Sequence, residues 1–147
     1  MPATIIDLER IGMTPVTRLT TFTDVGNRTR IANVVEVPHP LWRAGDVVYA
    51  ITSGREVVRI GTAQTSLRSR VRAYPNDINK SLDGREKPTP RWEADQWLAE
   101  IARNQFVEVW AKRAETMIYD GEEVSLHLSE EMALIRRWRP RLNRSHR

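Results

Sequence analysis

Two β-branched runs, DVVYAIT at 46–52 and EVVRIG at 56–61, stand only Ser53-Gly54-Arg55 apart. That spacing predicts a β hairpin closed by a short Gly-containing turn, and it is the firmest local constraint in the chain. Gly61 ends the second strand, and Thr65 or Ser66 can cap a helix in which Leu67, Val71 and Tyr74 recur at i, i+4 and i+7. Arg70 borders that apolar face, while Arg68 and Arg72 point away from it. Pro75 is expected to stop the helix, and the polar stretch 76–91, with one Gly and two Pro, is expected to be a loop. Trp97, Leu98 and Ile101 predict a second helix over about 91–104, and FVEVWAKR at 106–113 alternates like a strand. Asp120-Gly121 marks a turn. Ahead of the hairpin the sequence offers a short helix in TIIDLERIG and a strand in TRIANVVEV.

With 147 residues, 40% of them apolar, and five Trp, the chain can bury one core, and one domain is the default. No window approaches the roughly 18 consecutive apolar residues of a membrane span. The start, MPATIIDLERIG, lacks the basic-then-apolar layout of a signal peptide, so a cytoplasmic protein is expected. Absence of Cys removes disulfides, thiolate zinc sites and a cysteine nucleophile together, leaving oxygen or imidazole to hold any metal. His39, His127 and His146 are too scattered to form a metal cluster.

The formal charge of +4 is local in origin. Arg136, Arg137, Arg139, Arg141, Arg144 and Arg147 fall in the last twelve residues without one acid, and removing those six from 23 basic residues leaves 17 against 19 acidic. A concentrated arginine segment is the footprint of phosphate binding, although it also serves as a solubilising tail. Trp138, Pro140 and Leu142 interleave these arginines and argue for an ordered segment.

Glu131 heads the same region. At about 100° per residue it lies over the centre of the face made by Leu134, Ile135 and Trp138, whereas Glu130 lies well off it. A carboxylate on the buried side of a helix needs a partner, a metal or a proton. A competing explanation is simpler: Ser129 is a candidate N-cap, and an acid in the first turn complements the helix dipole.

Together, Val48-Tyr49 on one strand, Arg59-Ile60-Gly61 on its partner, Leu67 to Tyr74 on the next helix, and E-x-x-L-I-x-x-x-x-P-x-L-N from Glu131 to Asn143 resemble the GIY-YIG nuclease family over about residues 45–143. The resemblance implies that Tyr49 helps activate the attacking water, that Arg70 contacts the scissile phosphate, and that Tyr74 stands where members often carry His or Tyr. It implies that Glu131 ligates a single Mg²⁺ or Mn²⁺ ion and that Asn143 holds the site together. Arg59 departs from the pattern, replacing the tyrosine expected before Ile60-Gly61, and would polarise the water or bind phosphate in its place. Arg59 and Arg70 are also candidates to lower the Tyr49 pKa, since a phenol near 10 is otherwise a poor base.

The implied fold is a small α+β domain at 45–147, a three-stranded antiparallel sheet flanked by helices, with 1–44 as an N-terminal extension serving recognition or dimerisation. The site is expected on one face of the sheet, between the hairpin and the Glu131 helix. The implied function is metal-dependent hydrolysis of DNA phosphodiesters, with a restriction-type role and a homodimer preferred. Arg68, Arg72, Arg137, Arg139, Arg141 and Arg144 are the candidate DNA contacts. The alternative is a nucleic-acid-binding module that has lost catalysis on the same scaffold.

Overall fold

The computed structural model describes residues 2–85 and 87–143. The predicted hairpin forms from β4 (Val47–Ser53) and β5 (Glu56–Ala63), after α1 (Ile5–Arg10), β1 (Thr14–Leu19), β2 (Thr21–Thr23) and β3 (Thr29–Ile31). Ser53 pairs with Glu56, leaving a two-residue turn in which Gly54 takes φ +59° at the first position, as a type II′ turn demands. Downstream come α2 (Leu67–Leu82), α3 (Arg91–Asn104), β6 (Val107–Arg113), β7 (Thr116–Tyr119), β8 (Glu122–Ser125) and α4 (His127–Trp138). The main sheet is antiparallel, with helices on both faces. It has four strands in the order β1-β6-β4-β5 rather than the expected three.

The extra strand comes from the first 44 residues. β1 pairs with β6 along the sheet edge and carries Pro15 beside a bulge, the positions at which a sheet accommodates a residue without an N–H. TRIANVVEV supplies only β3, paired with β2 in a separate small hairpin.

Every residue of β4 is buried, as befits a strand covered on both faces. Val47, Tyr49 and Ile51 face a core with Leu67, Val71, Trp97 and Ile101 of α2 and α3. Val48 and Ala50 face the opposite core, with Leu8 of α1 and Leu134 and Ile135 of α4. The Glu131 helix therefore packs on the other side of the sheet from α2 and α3. It starts earlier than expected, with Leu126 rather than Ser129 at the N-cap, because Ser125 accepts a hydrogen bond from the His127 N–H (3.3 Å).

Pro75 does not end α2. A proline inside a helix forfeits a hydrogen bond and crowds the preceding turn, yet here the helix continues to Leu82 because tertiary contacts hold its second half. Pro75, Ile78 and Ser81 are buried. The Asn79 side chain bonds both peptide groups of Ile31, accepting from its N–H and donating to its carbonyl, each at 2.9 Å. Arg30 donates to the Asn79 carbonyl (3.1 Å) and pairs with Asp83. The 76–91 stretch is thus part helix, and the remaining loop is short.

The C-terminal segment covers the outer edge of β5. Leu142 N–H donates to the Val58 carbonyl (2.9 Å), and the Asn143 amide accepts from the Ile60 N–H and donates to the Ile60 carbonyl, both at 2.8 Å. Arg141 anchors this segment through a paired contact with the buried Glu100, which also accepts from Ser53 and Arg103. Arg141 foremost, with Ser53 and Arg103, outweighs burial and holds the Glu100 carboxyl below the ordinary carboxylate range. A depressed folded-state pKa contributes stability above the unfolded value and loses it as pH falls through the folded one. The thermal stability of wild type should therefore fall as pH drops below about 4. Glu100→Gln should lower Tm at neutral pH and flatten that acid slope; parallel slopes would remove Glu100 from the account.

Candidate active site

The α2 face of the hairpin carries a half-open cavity of about 120 Å³ lined by Arg59, Arg70, Ala73, Tyr74, Asp77, Pro88, Thr89 and Glu93. Arg70, Tyr74 and Asp77 reach it together because positions i, i+4 and i+7 share one helix face. Arg59 reaches it through a β-bulge: Ile51 pairs with Arg59 while Thr52 pairs with Val57, so Val58 is the extra residue that re-aims the strand. The Leu142 carbonyl accepts from Arg59 Nη1 at 2.8 Å, which ties the guanidinium to the C-terminal segment.

Tyr74 lines the cavity, with Tyr49 behind it. Their hydroxyls are hydrogen-bonded at 2.6 Å, their rings meet edge-on at 6.3 Å, and Trp97 closes on the other side of Tyr74 at 5.5 Å. Gly61, the register partner of Tyr49, permits this packing, since a β-carbon on Gly61 would overlap the Tyr49 ring.

Tyr49 differs from expectation in one respect. Only 2% exposed, it has its phenol pushed well above the ordinary value by burial first and by Tyr74 next; Arg59 and Arg70 pull downward but do not prevail. The cations predicted to activate Tyr49 are present, and desolvation outweighs them. Arg59 resists burial in turn. Desolvation lowers its pKa, but Tyr74, Tyr49 and Glu93 together raise it further, so the cavity holds a permanent positive charge.

The fold gathers Tyr49, Arg59, Arg70 and Tyr74 around the cavity, with Asn143 holding the strand edge beside them. Glu131 is half-buried on α4 and does not line it. Among the candidate DNA contacts, Arg72, Arg137 and Arg139 are exposed and Arg68 is half-buried. Arg141 is engaged internally, with Glu100 and Glu56. Arg144 lies outside the described residues, as do Arg147 and His146.

Sequence reasoning missed Asp77, Thr89 and Glu93. Glu93 had a visible signal: it falls four residues before Trp97 and eight before Ile101, so it shares their buried face, the same placement that singles out Glu131. Among the described residues no group of three or more His, Asp or Glu side chains converges in a way that could hold a metal ion.

No protein-family model matches the chain, and no curated protein sequence matches it either. Among solved structures, a point mutant of bacteriophage T4 EndoII is similar over 94% of this chain and 96% of its own, at 18% identity and a TM-score of 0.65. The restriction endonuclease Hpy188I in complex with product DNA is similar over 92% of this chain and 82% of its own, at 15% identity and a TM-score of 0.51. At these identities the likeness is one of fold, and the mixed α+β architecture of this chain is the one those two proteins have.

Proposed function

We propose that this protein is a GIY-YIG-type endonuclease that hydrolyses DNA phosphodiesters with one divalent metal ion, in a restriction-type role. The observation that carries this reading is the convergence of Arg59, Arg70 and Tyr74 on one cavity, with Tyr49 hydrogen-bonded behind Tyr74. Phosphodiester hydrolysis needs positive charge at the non-bridging oxygens and an activated water. Exposed Arg70 binds the scissile phosphate, and Arg59, fixed by the Leu142 carbonyl, holds a second charge deeper in the cavity. Tyr74 positions the water, and Tyr49, kept neutral by burial, positions Tyr74. Glu131 would hold Mg²⁺ or Mn²⁺, which when bound supplies further positive charge and a lowered pKa for its water. The fold is shared with T4 EndoII and with a restriction endonuclease solved in complex with product DNA, and the latter supports the substrate class.

Burial of Tyr49 and the absence of Glu131 from the cavity lining favour the second reading, a binding module without catalysis. One assay separates them: supercoiled plasmid with the protein and Mg²⁺ or Mn²⁺, alongside Glu131→Ala and an EDTA control. Nicking by wild type, lost in both controls, establishes the metal-dependent enzyme. DNA binding without nicking under either metal establishes the module.

A further inference from the structure

Six large apolar side chains remain in solvent close together in sequence: Met117, Ile118, Tyr119 and Val124 on the β7–β8 hairpin, and Leu128 and Met132 on α4, each between 36% and 69% exposed. The hairpin turns at Asp120-Gly121, both with positive φ as a type I′ turn requires, and packs substantially on no other element. It is tied down at its root, where Leu126 N–H donates to the Glu115 carbonyl (2.8 Å) and Glu115 N–H to the Glu130 carboxylate. An isolated two-stranded hairpin is marginal in water, and grouped exposed apolar side chains mark an interaction surface.

Charge says what covers it. The register sets Met117 opposite Val124 and Tyr119 opposite Glu122, so alternation gives one hairpin face three apolar side chains and an acid. On α4, Leu128, Met132 and Arg136 are four residues apart and form one exposed stripe that passes from apolar to basic. Residues 114–125 contain Glu115, Asp120, Glu122 and Glu123 and no base, whereas the end of α4 and its C-cap carry Arg136, Arg137 and Arg139. The two surfaces complement each other in both respects.

We propose that the β7–β8 hairpin of one chain docks on the exposed α4 stripe of a second copy, and the reverse, forming a two-fold homodimer. Met117, Tyr119 and Val124 cover Leu128 and Met132, and Glu122 meets Arg136. Two-fold symmetry makes each of these contacts twice, so a modest patch doubles in effect. The proposal stands independently of the nuclease reading.

Sedimentation velocity on the full chain across micromolar concentrations tests it. Wild type is expected to dimerise, and Tyr119→Ser and Met132→Asp each to shift it to monomer with an unchanged far-UV spectrum. Glu122→Arg or Arg136→Glu alone should raise the dimer Kd about tenfold or more, and the two together should restore it. A monomer at every concentration overturns the proposal. So does a dimer indifferent to Tyr119→Ser and Met132→Asp, or one that the paired reversal fails to rescue.

Discussion

Arg70→Ala is expected to slow plasmid cleavage by about 10²–10³-fold, the usual cost of removing one charge-stabilising donor from a reacting phosphate or carbonyl. Its fold should survive. Arg70 is exposed, and its side chain makes no hydrogen bond or ion pair to another described residue; its backbone belongs to α2, with the N–H donating to the Ser66 carbonyl (3.3 Å). Surface substitutions of this kind usually stay within about 0.5 kcal/mol, so Tm should hold while the rate falls. Arg70→Lys should recover part of the loss, because it restores the charge without the two-pronged geometry of guanidinium. Single-turnover rates at saturating DNA, paired with Tm, give the comparison. If Arg70→Ala lowers only DNA affinity and reduces its salt dependence by about one phosphate's worth, Arg70 is a binding contact and the non-catalytic reading gains.

Asn143→Ala should cost stability on a comparable scale. Asn143 is 5% exposed, and its amide satisfies both peptide groups of Ile60 on the outer edge of β5. Truncation leaves a donor and an acceptor without partners, at about 1–3 kcal/mol each. In a chain of this size that corresponds to a Tm drop of about 5–15 °C. Asn143→Asp should fall in between, since a carboxylate still accepts from the Ile60 N–H but meets the Ile60 carbonyl oxygen with no donor. Cleavage should suffer as well, because the neighbouring Leu142 carbonyl holds Arg59. Wild-type unfolding in Asn143→Ala would show that this edge needs no amide.

Much of the scaffold was legible because its signals are local. The 46–61 hairpin follows from β-branched alternation around a Gly turn, and α3 at Arg91–Asn104 follows from the spacing of Trp97, Leu98 and Ile101. Features held by distant partners were not. Pro75 argues for a stop, and distant partners override it: Asn79 pairs with Ile31, 48 residues away, Arg30 reaches Asn79 and Asp83, and Ile78 and Ser81 are buried. β1 is short, polar at half of its six positions and contains Pro15, so it becomes a strand only when β6 offers it an edge.

The candidate site divides in the same way. Arg70 and Tyr74 share a helix face by spacing alone, and the order of motifs brings Arg59 beside them. Burial of Tyr49 is a property of the layers around it, so its raised pKa could not be read from nearby arginines. Arg141 looked like one of a run of tail cations; its partner Glu100 lies 41 residues earlier, on the buried side of α3.

The pair of hydrogen bonds between Asn79 and Ile31 also has a kinetic meaning. It joins the stretch of α2 beyond Pro75 to the β2–β3 hairpin, with Arg30–Asp83 as a second link. Neither part has a full set of partners without the other, so the two should open together as one cooperative unit, below the free energy of global unfolding. Amide exchange at residues 76–82 and 29–31 should then proceed at a common protection level, separate from the slower amides of β4 and β6.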